Sequence, residues 1–273
     1  MFDLEKILEA RDRLREKEPL VHAITHPIAI NMVANVILFM GAKAICAAHP
    51  DEVTEIVDIS ACLSLSLGNI TSERMVAIDR ACKEANKKNI PLTIDMVGVG
   101  ASTLRYNFAK ELLSKYHFDL IKGNASEIRS LASGISNAQG IDVGKADELF
   151  GSNIEKIASE ARDFAQKYQS TVLITGKTDI VLGENSYFTV DNGVSNLSKI
   201  TGTGCMLTAM ISSLMAVTDP VSAAICGLLI MEIAAEKIDA HRLYTFFVNL
   251  MDEISVISNE EIRKKAKVRE IKF

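Results

Sequence analysis

The sequence predicts an α/β protein: a mostly parallel central sheet, helices on both of its faces and a hairpin at one edge. Three observations predict it. Short β-prone runs alternate with longer helical segments about five times, the pattern of parallel strands joined by crossover helices. One segment, Ile180–Val190, departs from that rhythm, with two β-prone runs around Gly183-Glu184-Asn185, so it reads as a hairpin. No linker, internal repeat or low-complexity tract divides the 273 residues, so the chain reads as one domain spanning 1–273.

The elements follow in order. Asp3–Lys17 carries Leu4, Ile7, Leu8 and Leu14 near one face and reads as an amphipathic helix ended by Pro19. The run LVHAIT around His22 is strand-like, and Ala42–Ala47 forms a short strand after Gly41. Cys62–Leu67 alternates strictly and stops at Gly68; Leu92–Ile94 lies between Pro91 and Asp95; Leu120–Ile121 precedes Gly123; Thr171–Thr175 stops at Gly176. Helical segments fall between them, at Ile28–Met40, Asp51–Ile59, Ser72–Lys88, Ala101–Tyr116, Ser126–Ala132 and Asn153–Tyr168. The last third, Met206–Val217, Val221–Ile238 and Leu243–Ser255, is helical and so apolar that it belongs in the interior. The tail from Glu260 to Phe273 mixes both charge signs and reads as a solvated end.

Composition excludes several function classes. Apolar residues make up 48% and charged residues 24%, a globular balance. The net charge of −5, with charges scattered, and the absence of Trp argue against nucleic acid as a partner. No apolar stretch reaches the ~18 residues of a membrane span. The N-terminus is charged throughout without a signal-peptide core, so a cytoplasmic protein with no membrane partner is expected. The five cysteines are widely spaced and form no CxxC pair, which disfavours both a disulfide framework and a zinc site. The histidines show no HExxH spacing, and no GxSxG elbow marks a serine hydrolase.

In open α/β sheets ligands bind beyond the carboxyl ends of the strands, so reactive residues just after a strand are the candidates. Four segments qualify. In Thr201-Gly202-Thr203-Gly204-Cys205, two glycines let the backbone approach a ligand, and the following helix offers free N–H groups and a positive dipole end. That field is expected to lower the Cys205 thiol pKa; read structurally, the same segment is a turn into a buried helix with an inert Cys. Asp95, before the glycine-rich Met96–Gly100 loop, suits a cation or its water, or else caps a helix. Lys122 offers a point charge for phosphate, while Asn124 and Glu127 have capping-box spacing; a first-turn Glu also reaches a magnesium ion through water. Thr175-Gly176 offers a hydroxyl for phosphate or ribose, and by itself is a strand-ending turn. His26, between Thr25 and Pro27 in a loop, is a better pocket candidate than His22, which suits a satisfied core position.

These four segments, in this order, resemble the hydroxyethylthiazole kinase family of the ribokinase-like superfamily. The likeness runs from PLVHAITHPIAINMVANVILFMGA through DMVGVGAS, KGNASEI and LITGKTD to ITGTGCMLTA, roughly Pro19 to Val217. It implies a ribokinase-like three-layer α/β/α sandwich that transfers the γ-phosphoryl of ATP to the primary alcohol of a hydroxyethylthiazole in thiamine salvage. It also implies that Gly202, Thr203, Gly204 and Cys205 form the anion hole, with Cys205 beside the substrate hydroxyl. Lys122 and Thr175 would contact ATP, Asp95 and Glu127 would surround Mg²⁺, and Cys46, Gly202 and His26 would line the thiazole site. The family assembles as a homotrimer with active sites between subunits, so the same is expected here. His26, Cys46 and Asn69 stand where the family usually has Asn, Met and Thr, and Lys122 where it usually has Arg. Two other readings therefore accompany the first: a related kinase with an altered acceptor pocket, such as one for a hydroxymethylpyrimidine, and a catalytically weak paralogue that binds thiazole or nucleotide. A thiol hydrolase built on Cys205 ranks below these, because no His is predictably placed beside the thiol.

Overall fold

The structure, a computed structural model, describes residues 3–133, 153–239 and 241–273. Nine strands form one sheet: β1 (Leu20–Ile24), β2 (Lys43–Ile45), β3 (Cys62–Ser66), β4 (Leu92–Asp95), β5 (Leu120–Asn124), β6 (Thr171–Thr175), β7 (Asp179–Leu182), β8 (Ser186–Val190) and β9 (Val268–Lys272). Their order is β2-β1-β3-β4-β5-β6-β7-β8-β9. The strands from β2 through β6 run parallel, whereas β6–β7, β7–β8 and β8–β9 pair antiparallel.

Helices cover both faces. On one lie α1 (Leu4–Lys17), α2 (Ile30–Met40), α8 (Thr203–Met215), α9 (Pro220–Glu236), α10 (Leu243–Val256) and α11 (Asn259–Lys265); on the other lie α3 (Val53–Asp58), α4 (Ser72–Lys88), α5 (Thr103–Lys115), α6 (Ala125–Ser133) and α7 (Asn153–Tyr168). Each face has its own apolar core, and alternate strand residues feed the two: Leu120 and Leu173 one, Ile121 and Val172 the other. Together these make the expected three-layer α/β/α sandwich.

Local chemistry sets the helix ends. Asp3, Thr71, Ser102 and Asp219 cap helix N-termini with side-chain oxygens, and Pro220 occupies the first turn of α9. Glu18 ends α1 in the left-handed conformation, one residue before the Pro19 expected to stop it. The apolar helices α8 and α9 are buried along nearly their whole length. Ser212 and Ser213 survive inside α8 because each hydroxyl donates to a carbonyl one turn back, Thr208 O and Ala209 O. No helix among the described residues is long and apolar enough to cross a membrane.

The tail departs from expectation. Glu260–Phe273 is not a solvated end: most of it forms α11 and then β9, which pairs along β8 from Val190↔Val268 to Ser186↔Lys272. The hairpin β7–β8 thus lies at the antiparallel end of the sheet, with the tail strand outside it. Its mixed charges suit an outermost strand, since charged side chains discourage pairing with another chain.

Candidate active site

Register aligns the candidates at the carboxyl ends of the parallel strands. Ser66 pairs with Asp95, Asp95 with Lys122, and Asn124 with Thr175. Lys122 Nζ donates to Asp95 Oδ2 at 3.0 Å, and both side chains are buried. Burial works against the Lys122 charge, but the neighbouring Asp95 carboxylate outweighs it and holds the lysine above its ordinary pKa. Thr208, on α8, also donates to Asp95 Oδ2 at 3.2 Å.

The start of α8 meets this pair. Gly202 has φ +95°, open to glycine at little strain, and a Cβ there would come within 2.4 Å of Met32 Cε. A Cβ on Gly204 would stand 3.4 Å from Lys122 Nζ and 3.9 Å from Asp95 Oδ2. No side chain caps the helix, so its first-turn N–H groups remain available beside a buried cation. The Thr203 hydroxyl turns back to Leu197 O (3.0 Å) and Ile200 O (3.1 Å), which fixes the loop and leaves Thr203 only its backbone N–H to offer a ligand.

Glu127 fulfils the capping reading of its segment. Its Oε2 accepts from Asn124 N while Asn124 Oδ1 accepts from Glu127 N, a reciprocal cap; its Oε1 accepts from Gly98 N at 2.7 Å, tying down the loop after β4. Burial first, then the Asp95 charge, raises the Glu127 pKa to about 7. A carboxylate whose ionisation its neighbour Asp95 opposes suits a hard divalent cation, which prefers such oxygen donors. Both Glu127 oxygens already accept backbone donors, so Glu127 would reach such an ion through water. Among the described residues no three acidic, His or Cys side chains form a self-sufficient metal cage.

Cys205 corrects two expectations. Its thiol pKa is raised rather than lowered, because burial and then the Asp95 charge outweigh the Ser66 hydroxyl and the Lys122 charge. A histidine does stand beside it: His26 Nε2 lies 3.4 Å from Cys205 Sγ, with Ser66 Oγ at 3.6 Å. The ring is seated against Gly68, where a Cβ would come within 2.5 Å of His26 Cδ2. His22 is buried in β1 as expected and its Nε2 contacts Ala47 O at 2.9 Å, but its Nδ1 finds no partner among the described residues, so the core position is only half satisfied. Cys46 follows β2, packs partly buried at the edge of one core and makes no hydrogen bond among the described residues; burial raises its pKa. Thr175 is half-buried at the end of β6, level with Asn124.

Three residues that sequence reasoning missed complete the floor. Arg74 on α4 clamps the loop after β3 by donating to Ser66 O, Gly68 O and Asn69 O at 3.1, 2.7 and 2.8 Å. Thr208 follows Gly204 by one helical turn and also donates to Gly204 O. Asp179 Oδ1 accepts from Gly176 N and holds the turn after Thr175. The spacing of Thr208 from Gly204 was a usable signal; the Arg74 contacts carry none in the sequence.

An α/β sandwich with an uncapped helix start against a buried Lys–Asp pair at its strand ends has the architecture of a ribokinase-like small-molecule kinase. The model of the hydroxyethylthiazole kinase family matches residues 12–260. "Hydroxyethylthiazole kinase 2" of Clostridium botulinum is 38% identical over 263 residues, 96% of this chain and 99% of that one. A solved hydroxyethylthiazole kinase protein from Pyrococcus horikoshii superposes with TM-score 0.89 at 32% identity, covering 98% of this chain and 100% of that one. An ADP complex of Bacillus subtilis pyridoxal kinase shares the fold, with TM-score 0.64 at 14% identity over 83% of this chain and 95% of its own. The chain belongs to the hydroxyethylthiazole kinase family.

Proposed function

We propose that this protein, as one domain, transfers the γ-phosphoryl of ATP to the primary alcohol of 4-methyl-5-(2-hydroxyethyl)thiazole in thiamine salvage. The observation that carries the reading is the approach of Gly204, at the open start of α8, to the Lys122–Asp95 pair. Phosphoryl transfer passes through a loose transition state that needs positioning and charge stabilisation more than a strong base. The backbone N–H groups of Gly202–Cys205 hold the transferring phosphoryl. Lys122 offsets its charge, and Thr175 with the turn held by Asp179 contacts the nucleotide. Asp95 and Glu127 would hold Mg²⁺ and its waters, and the ion would supply positive charge against the phosphates. Gly202, Cys46 and His26 line the alcohol pocket, with Cys205 beside the hydroxyl.

The homotrimer with active sites between subunits belongs to the same proposal. Ile28 before α2, Leu38 on α2, and Leu243, Tyr244 and Val248 on the adjoining α10 leave large apolar side chains exposed. Tyr244 alone is 79% exposed. Tyr244→Glu is expected to reduce the solution mass toward the monomer and to raise the KM for the alcohol; a trimeric wild-type whose mass this change leaves untouched would show that α10 lies outside the interface. A cytoplasmic location is likewise proposed, on the soluble chemistry of both substrates.

The test of function is direct. Purified protein with Mg·ATP and a panel of hydroxyalkyl thiazoles and pyrimidines is assayed for phosphorylated product by mass. Hydroxyethylthiazole phosphate is the expected dominant product. Preferential phosphorylation of a pyrimidine alcohol would favour the altered-pocket kinase, and binding without product would favour the weak paralogue.

A further inference from the structure

Cys205 and His26 lie 179 residues apart in sequence, yet their side chains meet at 3.4 Å in the same pocket. The contact is built rather than incidental. Gly68 leaves the space the imidazole occupies, and Arg74 fixes the loop carrying Gly68 through three carbonyls. Ser66, on the neighbouring strand, supports the sulfur from another side.

Burial favours the thiol form of Cys205, and in the tautomer whose Nε2 carries no proton its S–H donates to His26 Nε2. A neutral imidazole carries one proton, which then sits on Nδ1. That nitrogen is buried and meets no hydrogen-bond partner among the described residues, so nothing locks the ring into the opposite tautomer. Cys205 on α8 touches the ring, and the charges of Arg74 on α4, Arg105 on α5 and Asp95 on β4 act on it from farther elements. Burial, then the Arg74 charge, keeps His26 neutral below the ordinary imidazole range, ready to accept a proton at physiological pH.

We propose that Cys205 and His26 form a proton relay for the acceptor alcohol, with His26 as the terminal base acting through the sulfur. This rests on the kinase reading above. As the alcohol oxygen bonds to the γ-phosphorus and the bond to the bridging β,γ-oxygen breaks, its electron pair leaves with ADP. The hydroxyl proton passes to Cys205 Sγ while the thiol proton passes to His26 Nε2. The resulting imidazolium, opposed by the Arg74 and Arg105 charges and with no carboxylate hydrogen-bonded to Nδ1 among the described residues, releases its proton to water as product departs. His26 is thus a positioning and proton-accepting residue that need not touch the alcohol.

The test is the pH profile of kcat at saturating Mg·ATP. Below the Glu127 limb that wild type and variant share, the wild-type kcat falls further as pH drops through a value below the ordinary imidazole pKa, because protonated His26 cannot accept. His26→Gln, which keeps an acceptor but takes no proton, lowers kcat about 10-fold at neutral pH and abolishes that acid limb. The double variant with Cys205→Ala is then no slower than Cys205→Ala alone. Gly68→Ala, which pushes the ring off the sulfur without removing it, also displaces the limb. An unchanged limb in His26→Gln, or losses that multiply in the double variant, overturns the relay. If the wild-type protein makes no phosphorylated thiazole at all, the kinase reading fails separately. The pairing is then judged by iodoacetamide: His26→Gln slows alkylation at Cys205, read by peptide mass, about threefold or more at neutral pH. An unchanged rate contradicts it.

Discussion

Two buried cations show how this fold separates chemistry from architecture. Lys122 and Arg11 are 4% and 2% exposed. Lys122 lies at the strand ends against a carboxylate, and that charge keeps the ammonium protonated despite burial. Arg11 lies on α1 and donates to neutral acceptors, Asn259 Oδ1 at 2.7 Å and the Ile257 carbonyl, pinning α11 to the N-terminal helix. Burial, with Arg15 adding to it, lowers the Arg11 pKa to about 10. A buried charge facing an opposite charge and open helix N–H groups offers a seat for phosphate. A buried charge that hydrogen-bonds only amide and carbonyl oxygens holds two segments together.

Removing each cation is expected to break the molecule differently. Lys122→Met leaves Asp95 buried with Thr208 as its remaining hydrogen-bond donor, and kcat/KM for ATP is expected to fall about 10²–10³-fold. Lys122→Arg retains the charge and is expected to keep activity within about tenfold of wild type. Steady-state kinetics with the thiazole alcohol held saturating checks both. Equal losses in the two variants would show that packing rather than charge matters at this position.

Glu127 sharpens the comparison through pH. Its folded pKa of about 7 exceeds the ordinary value of 4.5, so the folded protein binds this proton more tightly than the unfolded chain. The stability it contributes is full below pH 4.5 and is lost as pH rises through about 7, a decline of about 3 kcal/mol at most. Thermal melts without Mg²⁺ are expected to fall between pH 5 and 8, and to fall less in Glu127→Ala. Mg·ATP is expected to recover the wild-type loss at pH 8, where the carboxylate is ionised. A wild-type melt that is no more pH-dependent than the variant's would remove Glu127 from the metal assignment.

The smallest effect is expected at Arg11. Arg11→Met leaves the Ile257 carbonyl and Asn259 without their donor, a loss of about 1–3 kcal/mol. The melting temperature is expected to drop by roughly 5 °C with both substrate KM values unchanged. A changed KM for ATP would mean that the seam between α1 and α11 is coupled to the site after all.

The sheet and most of the floor were legible because both follow from local pattern. Period-two runs ending at Gly or Asp marked the strands, and parallel register alone then brought Asp95 beside Lys122. The capping spacing of Asn124 and Glu127 was equally visible. What escaped depends on contacts between distant segments. The approach of His26 to Cys205 is set by how β1 and α8 pack, and the Arg74 clamp by the loop it holds. The lowered thiol pKa expected for Cys205 failed because the helix start was weighed without the burial that α8 imposes. In the tail, the charges that read as solvated are those of an outermost strand, where one edge faces water and the other pairs with β8.

The most direct measurement is a crystal structure of the protein with Mg²⁺, a non-hydrolysable ATP analogue and hydroxyethylthiazole. The terminal phosphate is expected within hydrogen-bond distance of the backbone N–H groups of Gly204 and Cys205, with Lys122 facing it and the alcohol oxygen aimed at its phosphorus. A terminal phosphate bound away from the start of α8, in a protein that still phosphorylates the thiazole, would contradict the assignment of this helix start as the phosphoryl seat.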